Sequence, residues 1–337
     1  MTDRYRLYGG GGSPYSMKMR AIMRYRRLPF DWVLISPAVR AGLKHDGPPV
    51  IPVLQLPEDG SLHVDSTPLA WLLEERHSER SIIPPDPCDA FLSDLLEDMG
   101  DEWCTKMMFH YRWYREVDQI YSSRQIISDN SPGVVGEALE QAAEAIRQRQ
   151  VSRMALVGCT PGNAPVIEAG YHELLGIFSQ FVTRDEFLFG SRPALADFGI
   201  FGQLQVLASD HTPMLIMREQ APRVYDWVRR MNDLSGVEGE WRTDLRPETR
   251  ALLAYAGRTY LPFMAANLAA LQAGSTRVEL EIDGQTYSQD VFKYQGKCLD
   301  RLRKRLAGIA GPARARLLEI LAETGCLPYL EDQRAAD

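Results

Sequence analysis

At 337 residues, 45% hydrophobic and 25% charged, the chain has a folded globular composition with room for two or three packed units. Its net charge of -7 argues against a nucleic-acid polyanion as main partner. Five widely spaced cysteines (Cys88, Cys104, Cys159, Cys298, Cys326) without a C-x-x-C, and six histidines without ligand spacing, argue against a disulfide framework or a metal site.

Those cysteines, the lack of an apolar run of bilayer length and the lack of an N-terminal signal pattern lead to the expectation of a cytoplasmic protein with no membrane partner. In chain order, residues 4–8 and 31–35 read as short strands. Between them Met17, Met19, Ala21, Ile22, Met23 and Leu28 form the apolar side of a helix. A right-handed crossover would make the two strands parallel. The run PPVIPVLQL, the turn at Asp59-Gly60 and LHV predict a hairpin. Thr67-Pro68 opens an amphipathic helix. The proline-rich IIPPDPCD, residues 82–89, reads as a linker.

Helical patterns follow, beginning with one long run over residues 90–117. From residue 236 a further segment is mainly helical, with Pro262 expected to kink it and Asp283-Gly284 predicting a hairpin over 277–288. Arginine clusters at Arg24, Arg26 and Arg27 and over 301–305 are expected to lie on solvated helix faces.

Three short stretches carry candidate chemistry. In YGGGGSPYS (residues 8–16) the glycine spacing matches neither a phosphate loop nor a dinucleotide fingerprint. Ser13 stands at the helix mouth with Pro14 in the first turn, where it serves as a cap or as donor to an anion held by the helix end. In VIPVL, Pro52 enters a strand, a position that suits a cis bond, a sheet edge or an ordinary trans proline opening the strand. Were the bond cis, it would turn the polar backbone of Ile51 outward. In HVDSTP, Asp65 and Ser66 occupy a second helix start, either as caps or as ligands of a small amino-acid group.

Taken in register, these stretches resemble the thioredoxin-like N-terminal domain of cytosolic glutathione transferases. EFLFGSRPALADFGIFGQL resembles the buried helix of that family's all-helical C-terminal domain. The resemblance implies a thioredoxin-like α/β domain over 1–82, an all-α domain over 89–235, and an extension over 236–337 that the family does not explain.

It further implies glutathione as co-substrate, with its γ-glutamyl group at Asp65 and Ser66, its cysteinyl backbone at Ile51 beside Pro52, and its sulfur at Ser13, with Tyr8 the rival donor. Tyr15, Met107, Met108, His110, Tyr111 and Tyr114 are expected to line the electrophile pocket or to pack the core. A homodimer acting on a small electrophile is implied. A non-catalytic binding or scaffold protein and a glutathione-dependent isomerase stay open beside it. Two departures stand out. Ala194 occupies the position where the family carries a capping Ser or Thr, leaving Asp197 as half of the reciprocal cap. The quadruple glycine is expected to widen the site or loosen its loop.

Overall fold

The computed structural model describes residues 4–182 and 187–331; Glu186, which opens the EFLFG stretch, lies outside them. In order, the elements are β1 (Tyr5–Gly9), α1 (Pro14–Tyr25), β2 (Phe30–Leu34), α2 (Pro37–Gly42), β3 (Val53–Gln55), β4 (Leu62–Val64) and α3 (Ser66–Arg76). Helices α4 (Pro87–Met99), α5 (Thr105–Tyr114), α6 (Glu116–Asn130), α7 (Gly136–Val151), α8 (Ala164–Phe181), α9 (Leu195–Leu207), α10 (His211–Gln220) and α11 (Pro222–Met231) follow. The chain continues with α12 (Pro247–Tyr255), α13 (Leu261–Gln272), the hairpin β5 (Arg277–Ile282) and β6 (Gln285–Asp290), α14 (Lys293–Ala307), α15 (Gly311–Glu323) and α16 (Leu327–Leu330). This is a thioredoxin-like sheet-and-helix domain followed by a mainly helical chain.

Two compact units partition these elements. The first holds residues 1–82, 111–152 and 201–238; the second holds 83–110, 153–200 and 239–337. The stretch expected as one helical domain over 89–235 is shared between them, and residues from 239 belong with earlier helices rather than standing apart.

In the first unit the sheet order is β2-β1-β3-β4. β1 pairs parallel to β2, and β3 pairs antiparallel to both β1 and β4. Alternation along β1 sends Tyr5 and Leu7 to one face and Tyr8 to the other. Tyr8 packs with Ile35 and Val53, and Val33, Val39, Leu43, Ile51, Leu62 and Val64 surround that cluster. Arg26 is buried against Glu74 and the His77 carbonyl, so the expected solvent face fails at this residue. The neighbouring Arg24 and Arg27 reach Asn232 and Glu238.

In the second unit, the single long helix expected over 90–117 is interrupted by a π-helical turn, Gly100–Cys104. A Cβ at Gly100 would lie 2.9 Å from the Gly199 carbonyl carbon, so the turn sits where α9 approaches most closely. A second π turn, Ala256–Tyr260, lies just before Pro262, where the sequence predicts a kink. The Trp103 indole of the first π turn donates to the Tyr255 hydroxyl at 2.9 Å.

The hairpin forms around Asp283-Gly284, both at positive φ, and buries Val278, Ile282, Tyr287 and Gln289. Its Ser288 backbone exchanges bonds with the Asn163 carboxamide, so helices and their loops supply the packing that an isolated hairpin lacks. Arg301 and Arg305, expected on a solvated face, reach inward to carboxylates of α4. Arg301 donates to Asp94 at 2.8 Å and to Asp98 at 2.6 Å, and Arg305 lies 3.3 Å from Asp94.

Candidate functional site

Sheet register places the three predicted stretches at one end of the sheet. Tyr8 pairs with Val53, and Val53 pairs with Val64. The loop leaving β1 toward Ser13, the Ile51-Pro52 entry to β3, and the exit of β4 into Asp65 and Ser66 therefore open on the same edge. The Ile51-Pro52 bond is cis.

Ser13 is the N-cap of α1, extended at φ -103° and ψ 117°. Its Oγ accepts from the Ser16 amide at 3.2 Å. The amide occupies the oxygen's acceptor side, so the hydroxyl proton remains to be donated. Ser13 is half-buried, reachable from solvent while fixed in direction. The rival hydroxyl is already committed: Tyr8 is buried and donates to Gln55 Oε1 at 2.8 Å.

The quadruple glycine forms a packed turn. The Ser13 amide donates to the Gly10 carbonyl at 3.1 Å, closing a tight turn. A Cβ at Gly9 would lie 2.8 Å from both Ser16 Cβ and Trp32. At Gly10 it would meet the Asn130 carboxamide at 2.3 Å, at Gly11 the Asp129 carboxylate at 3.1 Å, and at Gly12 Ile126 at 3.1 Å. Gly10, Gly11 and Gly12 let the loop lie flat on the C-terminal half of α6, and Gly9 leaves room for Ser16 and Trp32, a packing reason rather than a dihedral one.

At the other helix mouth, Asp65 is the N-cap of α3 with φ 76° and ψ 118°, a conformation strained for a residue bearing a Cβ. Ser66 is buried, and its Oγ accepts from Lys18 Nζ at 3.4 Å; Thr67 Oγ1 lies 3.5 Å from the same ammonium. Lys18 is itself 0% exposed, so its amino group lies inside the protein behind the N-terminus of α3. The helix end favours an anionic group at this mouth. Sequence reasoning missed Lys18. Its only signal is one lysine inside the apolar run Met17-Lys18-Met19. A cavity of about 780 Å³ beside β4 was missed as well, and Lys44, His45, His63, Trp71 and Glu75 are among its lining residues.

Residues 7–81 match the family model described as the glutathione S-transferase N-terminal domain. The first unit carries a glutathione S-transferase N-terminal domain. Solved structures similar in fold include the beta-etherase LigF of Sphingobium sp. strain SYK-6, at 17% identity and a TM-score of 0.46, covering 74% of this chain and 98% of that one. A glutathione S-transferase of Methylobacterium radiotolerans in complex with glutathione sulfonate aligns at 21% identity and a TM-score of 0.42, covering 72% and 98%. One from Rhodospirillum rubrum aligns at 20% and 0.41, covering 74% and 91%. No curated protein matches the chain.

Beyond the strands and helices of the transferase domain, Tyr111 and Tyr114 of α5 fall in the first unit. Tyr111 is 1% exposed and Tyr114 38%, and the Arg115 guanidinium lies 5.3 Å and 5.8 Å from their ring centroids. Tyr15 is half-buried on α1. Met107, Met108 and His110 are buried in the second unit. The Met107 methyl would lie 3.1 Å from a Cβ at Gly170, and His110 Nε2 is 2.9 Å from Glu168. Their surroundings are those of core residues.

The Ser13 loop packs on α6, through Ile126, Asp129 and Asn130, and is reached from α5 by Arg112. Burial lifts the Asp129 carboxyl above the ordinary range, while Arg112 and Arg20 pull it back. Burial, with Asp210 and Asp129 nearby, likewise raises the Tyr121 phenol.

All five cysteines are buried and unbridged. Asp86, Cys88 and Asp89 bring three potential metal donors together. Asp86 caps α4, Arg316 bridges both carboxylates at 3.0 and 2.8 Å, and burial pushes the Cys88 thiol up to about 12. Among the described residues no helix is long and apolar enough to cross a membrane.

Proposed function

We propose that the chain is a glutathione transferase in which Ser13 holds the sulfur of glutathione as thiolate for attack on a small electrophile. The observation that carries this is the Ser13 hydroxyl on the N-cap of α1, its oxygen engaged by Ser16 and its proton available, inside the matched transferase domain. The cysteinyl backbone would lie along Ile51. The γ-glutamyl group would meet Asp65 and the Ser66 mouth backed by Lys18. The remaining carboxylate would find Lys44 and His45 in the cavity beside β4.

Magnitudes allow the step. A free thiol titrates near about 8.5, and lowering it by about two units requires about 2.7 kcal/mol of preference for the anion. A hydrogen bond to a charged partner contributes about 1.5–3 kcal/mol. The helix end adds about 0.3–1 kcal/mol. Donation alone therefore suffices, and Ser13 need not act as a base. The thiolate attacks the electrophilic carbon, forming a C–S bond as the leaving group departs or the acceptor bond opens.

The test combines calorimetric titration with glutathione and turnover of activated aryl halides and epoxides, with product mass read to separate conjugation from isomerisation. Micromolar to millimolar binding and a conjugate are expected. Ser13→Ala should lower kcat about a hundredfold. Absence of glutathione binding in the folded protein would overturn the reading.

A further inference from the structure

We infer that Arg112 is a positioning residue for Ser13, acting through the Gly12 carbonyl. The inference rests on the reading of Ser13 given above. Arg112 Nε and Nη2 donate to Asp210 Oδ2 and Oδ1 at 2.7 and 3.0 Å. Both residues are buried, and Ser122 Oγ donates to Asp210 Oδ1 at 3.1 Å. A planar guanidinium held by two bonds has its remaining N–H directions fixed. One of them, on Nη1, donates to the Gly12 carbonyl at 2.6 Å.

That carbonyl belongs to the peptide plane that ends at the Ser13 nitrogen. Peptide planarity sets the Ser13 N–H opposite the carbonyl, toward its bond with Gly10. Arg112 thus fixes the plane from which the Ser13 side chain departs. It also engages the electron-rich carbonyl oxygen in a cationic hydrogen bond.

Glycines at 10, 11 and 12 give the loop little stiffness of its own. Packing on α6 limits its position, while the arginine bond limits its twist. Lysine would not substitute fully, because an ammonium lacks the fork that spans Asp210 and Gly12 together. In active sites a displacement of about 1 Å costs about a hundredfold in rate, so even a modest rotation of this plane registers in turnover.

The experiment compares wild type with the double variant Arg112→Met/Asp210→Asn, which removes both buried charges at once. Glutathione affinity, kcat, and the pH profile of kcat/KM are measured on each after circular dichroism confirms folding. The expected result is affinity within about threefold, kcat lowered about tenfold near neutral pH, and the apparent thiol pKa raised by about one unit. Arg112→Lys keeps a charge opposite Asp210 and supplies the same readout if the double variant does not fold. An unchanged pH profile and kcat in either folded variant would overturn the positioning role while leaving the Ser13 reading intact. A wild-type profile with an unshifted thiol would remove both.

Discussion

Gly9 shows how a single residue carries information that its neighbours in sequence do not explain. A methyl group there would sit 2.8 Å from Ser16 Cβ and from Trp32, two side chains anchored on α1 and β2. Gly9→Ala is expected to cost about 1–3 kcal/mol, the range for overpacking a fixed contact. Urea unfolding measures it; a loss below about 0.5 kcal/mol, the scale of an ordinary surface substitution, would show that the loop yields. The sequence displayed four glycines but not their cause, because for Gly10, Gly11 and Gly12 that cause lies on α6, more than a hundred residues downstream. Ser13 and Ser66 were legible from helix-start chemistry. Lys18 and Arg112 were not, since burial of a charge depends on partners that only the folded chain assembles.

At the scale of elements, α9 settles the question raised by Ala194. Asp197 Oδ2 accepts from the Ala194 amide at 2.8 Å and Oδ1 accepts from the Leu188 amide at 3.1 Å, so its half of the reciprocal cap persists. The missing hydroxyl is supplied from elsewhere: Ser93 Oγ on α4 accepts from the Ala196 amide at 3.1 Å. A cap that is usually local has become a tertiary contact. Ser93→Ala should therefore destabilise the protein by about 1 kcal/mol, and Ala194→Ser in that background should recover most of the loss. Thermal unfolding of the two variants checks this; no change on Ser93→Ala would mean that the Ala196 amide finds another acceptor.

Helix positions were largely readable from apolar periodicity, as were both hairpin turns from Asp-Gly pairs. The two π turns were not. They arise where Gly100 meets the backbone of α9, and where Gly257 would place a Cβ 2.3 Å from the Thr324 carbonyl. Such close approaches leave no periodic mark in the sequence.

For the molecule as a whole, the segment expected as an appended extension is integral to the second unit. Arg301 from α14 and the Tyr260 hydroxyl, at 2.5 Å, both bond Asp98 of α4. Burial, reinforced by Glu97 and countered by Arg301, pushes the Asp98 carboxyl up to about 6. A carboxyl raised in the folded state binds its proton more tightly there than when unfolded. Its contribution to stability is therefore full below the unfolded value of 3.8, declines as pH rises through that value, and levels off above about 6.

Wild type should accordingly lose stability relative to Asp98→Asn across that window, by about 1.4 kcal/mol for each pH unit between the unfolded and folded titration midpoints. Denaturant unfolding of both proteins at several pH values measures the difference; a difference that is flat or opposite in sign would refute the assignment. The arginines of α14 looked like a solvated face because a charge run carries no mark of what lies beneath it, and here α4 supplies buried acids.

The ultraviolet absorbance of the thiolate, titrated with pH on bound glutathione, addresses the Ser13 claim most directly. Wild type and Tyr8→Phe should both show ionisation well below that of free glutathione, and Ser13→Ala should return it toward the free value. A thiolate that survives Ser13→Ala but vanishes with Tyr8→Phe would contradict the account.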